Sequence, residues 1–241
     1  MKRTLCAGFT LVEMAVVLLI LGLLLGAGLT VLGSQLEQQR VKDTQRLLDE
    51  AREALIGFAM VNGRLPRPAT SAVNGLENAA ACANDLACSG FIPWMTLGTT
   101  RADAWGKLLR YSVSPAFANA GFTLNTVTTK KVQTRDAGGV LVYLAGQAGA
   151  CSVANPCVPA VVFSHGRNHW GTTEAGNPVP DGSGTNVDED ANQTGGGAGV
   201  TYVQRAPTEG TAASGGEFDD LVIWLPPGIL FNRMVQAGRL P

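Results

Sequence analysis

The chain has 241 residues, 46% of them hydrophobic and only 15% charged, against about 25% charged in an average soluble domain. Eighteen Lys and Arg against nineteen Asp and Glu leave a net charge of -1 and a pI near 6.1, so no basic field is available to neutralise phosphates and nucleic acid is not an expected partner. Thirty Gly and twelve Pro disfavour an all-helical bundle and point to a loop-rich globular part.

The apolar excess is concentrated near the start, where Met14 to Leu32 carries no charge over 19 residues. As a helix this run spans roughly 28 Å at about 1.5 Å per residue, close to the hydrocarbon thickness of a bilayer. Lys2 and Arg3 precede it, which sets the extreme N-terminus toward the cytoplasm and predicts a single-pass inner-membrane anchor. A secretory signal also begins with a basic region and an apolar stretch, but this run is long for one, and a periodic polar helix continues straight out of it. Cys6 follows Leu5 with no apolar segment before it, so lipidation there is not expected.

A carboxylate stands just ahead of the run, in Gly8-Phe9-Thr10-Leu11-Val12-Glu13-Met14. An unpaired acid within a membrane helix costs on the order of 2 to 3 kcal/mol on insertion scales, so Glu13 calls for a partner. The segment Gly8 to Glu13 resembles the processing and methylation site of type IV prepilins and of the pseudopilins of type II secretion systems. The resemblance implies that prepilin peptidase cuts after Gly8, removing residues 1–8 as a leader, and N-methylates the new terminal Phe9. It implies further that Glu13 of a neighbouring subunit neutralises the Phe9 α-amino group as helices stack: each charge alone is costly in an apolar setting, whereas the pair is tolerable.

From Ser34 the chain turns polar but keeps helical spacing, with Leu36, Val41, Leu47, Leu48, Ala51, Leu55, Phe58 and Ala59 on one recurring face. Asn62-Gly63 stops the helix, reinforced by Pro66 and Pro68. A single helix from about Phe9 to Val61 would then serve two ends, residues 9–33 as transmembrane and assembly helix and residues 34–62 as its amphipathic continuation. Gly22, Gly26 and Gly28 either permit close helix approach in the membrane or merely loosen the helix.

Beyond Pro68, short apolar runs divided by turn residues predict strands at Leu108 to Val113, Gly121 to Val127, Val140 to Leu144, Ala160 to Ser164, Val200 to Gln204 and Leu221 to Leu225. The fold class expected is α+β, a long N-terminal helix packed on a mostly antiparallel sheet formed by a periplasmic domain over 63–241, and the resemblance to pilins implies the same. Two local similarities extend it: Asn62-Gly63-Arg64-Leu65-Pro66 is similar to the helix exit of pseudopilins, and Asp103-Ala104-Trp105-Gly106-Lys107 resembles their Asp-Pro-Trp-Gly turn, with Ala104 in place of Pro. Trp105 is expected to anchor that turn in the core. Ile229, Leu230, Met234 and Val235 have helical spacing and predict a last short helix, docked on its own sheet or on another subunit.

Removing the leader takes Cys6 with it and leaves Cys82, Cys88, Cys151 and Cys157, two groups each enclosing five residues. In an oxidising periplasm these are disulfides. Four cysteines allow three connectivities, of which the two local ones are favoured because each closes a short turn containing Asn or Pro. A four-thiolate zinc site lacks the usual spacing. His165 and His169 sit in a glycine-flanked loop rather than on a helix face, and Ser164 beside His165 lacks the glycine a nucleophile elbow needs two residues earlier. The segment Asp181 to Asp190 alternates oxygen-bearing side chains with glycines. Such a loop either stays solvated or wraps calcium, as the resemblance implies, since major pseudopilins hold calcium in a late loop. Asp181, Asp188 and Asp190 are the candidate ligands, with Asp219 or Asp220 as additions.

Together these features lead to a structural subunit, a minor one, of a type IV pilus-like filament or a type II secretion pseudopilus, and not to an enzyme. Its expected partners are prepilin peptidase, other pilin or pseudopilin subunits and an inner-membrane assembly platform. No cofactor other than calcium is expected. Loss of Lys2 and Arg3 with the leader brings the mature balance to -3. A membrane-anchored periplasmic binding module or enzyme is the alternative.

Overall fold

The computed structural model describes residues 9–240, with side chains for all of these except 24–32. The leader, Gly8, and the side-chain surroundings of Gly26 and Gly28 therefore lie outside the described residues. Two compact units divide the chain, one ending at Lys42 and the other beginning at Asp43.

The first unit is helical from Leu11 and belongs to α1, Leu11–Asn62, a helix of 52 residues. Thr10 caps it. Among the described residues no helix is long and apolar enough to cross a membrane; the run from Met14 to Leu32 continues into residues 24–32, whose side chains are not described. Arg40 and Glu37 pair on its polar stretch at 3.7 Å.

In the second unit α1 buries Leu48, Ala51, Leu55, Ile56 and Ala59, the apolar face read from the sequence. It ends as expected, with Gly63 at a φ of 73° and its N–H bonded to the Ala59 carbonyl at 2.8 Å, a left-handed stop that glycine adopts without a Cβ clash. The remaining elements are β1 Ser89–Phe91, α2 Trp94–Leu97, β2 Arg110–Val113, α3 Pro115–Ala118, β3 Lys131–Arg135, β4 Leu141–Ala145, β5 Ala160–Ser164, α4 Val187–Thr194, β6 Thr201–Val203, β7 Leu221–Leu225 and α5 Pro227–Gln236.

Two sheets form. The first has the order β1-β2-β5-β7, all antiparallel, and the second β4-β3-β6, in which β3 and β6 run parallel. The class is thus α+β, with α1 packed on an antiparallel sheet. All five residues of β5 are buried. Ala160 and Val162 join Tyr111, Val113, Leu225 and the α1 side chains in one core, while Val161 and Phe163 join Val132, Tyr202 and Val222 in a second core against the other sheet. A strand covered on both faces carries apolar residues without alternation, which is why Ala-Val-Val-Phe stands here. Leu230 and Met234 of α5 close the first core.

Gly121 to Val127 is not a strand. It is a turn in which the Thr123 N–H donates to Thr126 Oγ1 at 2.9 Å and only Phe122 enters the core, so its apolar alternation finds no neighbouring strand. Trp105 is half-buried and stays outside the core, whereas Lys107, two residues on, is buried. The Asp103 turn nevertheless forms, with Asp103 Oδ1 accepting from the Trp105 and Lys107 amides at 2.9 Å each. Ala104 has a use that proline lacks: its N–H donates to the buried Thr44 Oγ1 of α1 at 3.1 Å.

Disulfides join Cys82 to Cys88 and Cys151 to Cys157. The first loop is tied to the second sheet by Lys130, whose fully buried ammonium donates to the Gly199 carbonyl at 2.6 Å and pairs with Asp85 at 2.8 Å.

Cross-linking a loop of five intervening residues stabilises by about 2 kcal/mol in the chain-entropy treatment. Converting Cys82 and Cys88 together to Ser is accordingly expected to lower the unfolding free energy by about that amount in urea titrations, and an unchanged midpoint would contradict it. Burial pushes the Lys130 ammonium down to about 8, against the opposing effect of Asp85. Unfolded lysine holds its proton to about 10.4, so between these values the unfolded chain binds more protons and stability rises with pH. The cost of burying the charge is full below pH 8 and relieved as pH climbs through the window above it. Wild type should therefore gain on Lys130→Met by on the order of 2 to 3 kcal/mol over that window; a pH-independent difference between the two would show that Lys130 does not titrate as argued.

Candidate functional site

The N-terminal candidates fall on the first turn of α1. Thr10 and Glu13 form a reciprocal cap: the Thr10 N–H donates to Glu13 Oε2 at 2.8 Å, the Thr10 hydroxyl donates to the same oxygen at 2.9 Å, and the Glu13 N–H donates to Thr10 Oγ1 at 3.3 Å. This is the capping box that Thr-x-x-Glu spacing encodes. The Thr10-Leu11-Val12-Glu13 spacing carries this local role alongside the charge of Glu13. Around it Phe9, Leu11, Val12, Met14 and the apolar residues from Val16 through Leu23 are exposed.

A second constellation lies inside the globular unit. It begins at the Asp103 turn, which delivers Lys107 into the interior. The three N–H groups of Lys107 donate to the carbonyls of His165 at 3.1 Å, Asn168 at 2.6 Å and His169 at 2.9 Å, organising the loop after β5. Burial holds the Lys107 ammonium below its ordinary value, with Asp219 and Asp103 opposing. Ser164 donates to Asp103 Oδ2 at 2.6 Å and accepts from the Gly166 N–H at 3.0 Å. Its hydroxyl is thereby committed to holding the turn, and burial keeps the Asp103 carboxyl raised despite that bond.

Gly166, with a φ of 54°, brings the loop backbone against Asp219: a Cβ there would lie 2.3 Å from Asp219 Oδ1. Asp219 Oδ2 accepts from the Asn168 N–H at 2.9 Å. Glu189 of α4 accepts from the Asp219 N–H at 2.7 Å and from Asn186 Nδ2 at 3.0 Å, and Asp220 Oδ2 accepts from Asn192 Nδ2 at 2.8 Å. Glu189, Asp219 and Asp220 each offer one oxygen such that all three lie within 4.8 Å of one another, the group among the described residues able to hold a metal ion. Burial, then Asp220, push the Glu189 carboxyl up to about 8, and burial likewise raises that of Asp219.

The residues proposed from spacing as calcium ligands are not brought together. Asp188 is buried between two guanidiniums, Arg135 at 2.7 and 2.8 Å and Arg205 at 2.7 Å, which occupy its oxygens. Asp190 accepts from the Trp170 indole N–H at 2.8 Å, and Asp181 accepts from the Ser183 N–H and Asn186 Nδ2 at 3.0 Å each. The reason is that the acidic stretch is not a loop throughout: Val187 to Thr194 is helical, so successive acids face different surroundings. Asp219 and Asp220 do lie in the carboxylate group, with Glu189 as third member. The two histidines also part, His165 beside Asp220 at 3.4 Å and His169 accepting from the Gly182 N–H at 3.0 Å.

Residues 3–29 match the family model of the prokaryotic N-terminal methylation motif. No curated protein sequence and no solved structure matches the chain. The motif is that of prepilin-type N-terminal cleavage and methylation, and it supports a type IV pilin-like or pseudopilin subunit processed by prepilin peptidase, anchored in a membrane and assembled with other pilin subunits.

Proposed function

We propose that the chain is a structural, minor subunit of a type IV pilus-like filament or type II secretion pseudopilus. Prepilin peptidase cuts after Gly8 and methylates Phe9; residues 9–33 anchor the subunit in the inner membrane by a single span, and residues 63–241 form its periplasmic domain. The observation that carries this is the methylation motif placed at the head of a continuous helix, with Glu13 in the first turn and the apolar side chains around it exposed. Apolar surface of that extent has to be covered by lipid or by other helices.

The capping box adds a physical step. In the isolated subunit the Glu13 carboxylate is satisfied by Thr10 of its own chain, which lowers the cost of carrying an acid at the head of an apolar helix. On assembly the α-amino group of Phe9 on a neighbour replaces that partner with a full opposite charge, and neutralisation favours the register in which the two meet. Helix stacking in lipid lacks a hydrophobic driving force of its own, so polar pairing and close packing set the register. The size of the globular part suits a minor subunit. Ser164, the hydroxyl beside His165, is held between Asp103 and the Gly166 amide, an arrangement that suits a structural role.

Glu13→Ala is expected to leave the melting temperature of the globular unit within about 1 °C of wild type, since the site is exposed and, among the described residues, bonds only to Thr10 in its own turn, while reducing incorporation into filaments at least tenfold. Normal incorporation would refute the pairing. Mass spectrometry of sheared fibres and membranes should find a peptide beginning at N-methyl Phe9. Its presence in fibres identifies a pilus subunit, its restriction to membranes a pseudopilin or an assembly-initiating subunit, and an intact Met1 or a cut near Leu32 would overturn the assignment.

A further inference from the structure

Three carboxylates meet in the interior with no hydrogen-bonded cation. Glu189 and Asp220 are 1% and 4% exposed, and Asp219 lies beside them with Oδ1 buried and unpartnered. Lys107 directs all three of its donors to main-chain carbonyls, and Arg135 and Arg205 are spent on Asp188. Buried carboxylates left without a partner are costly and are otherwise found paired or on a metal.

A second observation is independent of the acids. His165 is 1% exposed, neither of its ring nitrogens has a hydrogen-bond partner, and Nδ1 lies 3.4 Å from Asp220 Oδ1. Asp220 Oδ1 is itself unpartnered, as is Asp219 Oδ1, while the other oxygen of each is fixed by Asn192 Nδ2 and the Asn168 amide. Each aspartate thus has one oxygen held by the protein and one free. That division is how ligating carboxylates are oriented by hydrogen bonds outside the coordination sphere.

We propose that Glu189, Asp219 and Asp220 hold a divalent cation of the hard, oxygen-seeking class, with calcium as the favoured ion. Three oxygens within 4.8 Å of one another can share one ion at the 2.3 to 2.6 Å typical of Ca²⁺. Magnesium gives up its waters reluctantly, and a set of three carboxylates of which two are buried favours the ion that dehydrates more readily. His165 Nδ1 stands 3.4 Å from the Asp220 oxygen that would ligate the ion. The bound ion would link α4 to the residues leading into β7, reinforcing the Asp219 N–H to Glu189 hydrogen bond, and through the Asn168 N–H on Asp219 it would steady the loop after β5. The site is assembled from distant parts of the chain rather than from one loop, and it stands whether or not the subunit enters a filament.

The test uses the full chain in detergent, purified without chelator. Metal analysis should find about one calcium per chain, and dialysis against EDTA should lower the melting temperature by about 4 °C or more, with calcium restoring it and magnesium at equal concentration restoring little. Asp220→Asn, and independently Glu189→Gln, should abolish the calcium-dependent shift while leaving the chelated form at least as stable as chelated wild type, because a like charge has been removed. Asp181→Asn and Asp190→Asn should keep the full shift. The proposal is overturned by absence of both bound ion and shift, by a shift that survives Asp220→Asn and Glu189→Gln, or by a response to zinc alone that His165→Gln abolishes.

Discussion

The globular unit depends on β5 being buried on both faces. A strand that meets α1 on one side and a second sheet on the other has no solvent face, so every residue in it must be apolar or be satisfied by a neighbour. Ala160 to Phe163 meet the first condition and Ser164 the second, through Asp103 and Gly166. Because Ser164 is fixed, the loop that follows leaves the sheet in a set direction, and Lys107 ties its carbonyls down. His165 then stands beside Asp220, on the neighbouring strand's approach, since Ser164 pairs with Leu221 across β5 and β7. The polar interior is thus a consequence of the sheet register and not an addition to it.

Where burial alone decides, the sequence was a sufficient guide. Ala160 to Ser164 and Leu221 to Leu225 are strands over the very residues anticipated, and α1 departs from its expected limits by one or two residues, because continuous apolar runs and a 3.6-residue period are local signals. Strands that exist only through their partners left no such mark. β3, Lys-Val-Gln-Thr-Arg, buries Val132 alone and is a strand because β4 and β6 pair with it; β1 is three residues between a disulfide and Pro93. Gly121 to Val127 shows the converse, an alternating pattern with no edge to join.

Pairing of charges was the least legible feature. Asp188 and Glu189 are consecutive on α4, yet one is neutralised by Arg135 and Arg205 and the other meets Asp219 and Asp220. Successive residues on a helix are about 100° apart, so their surroundings are set by what packs on each side, and those partners come from residues 135, 205, 219 and 220. Oxygen spacing along the segment could not separate the two. Lys107 was hidden for a related reason: its sequence neighbours advertise a turn and a strand, and its three acceptors lie about sixty residues away.

Glu13 and Glu189 are handled by opposite means, and the contrast follows from what each must do. Glu13 sits on exposed surface and is satisfied within three residues by Thr10, an arrangement that opens with the fraying of one helical turn. A carboxylate held so locally can change partners by opening one helical turn, which is what the proposed assembly through the helix would use. Glu189 is held by Asn186 and the Asp219 amide in the interior, where exchange of partners means moving α4 against β7. In the proposed scheme reversible charge pairing belongs at the N-terminus, and a cation bound in the interior would become part of the fold.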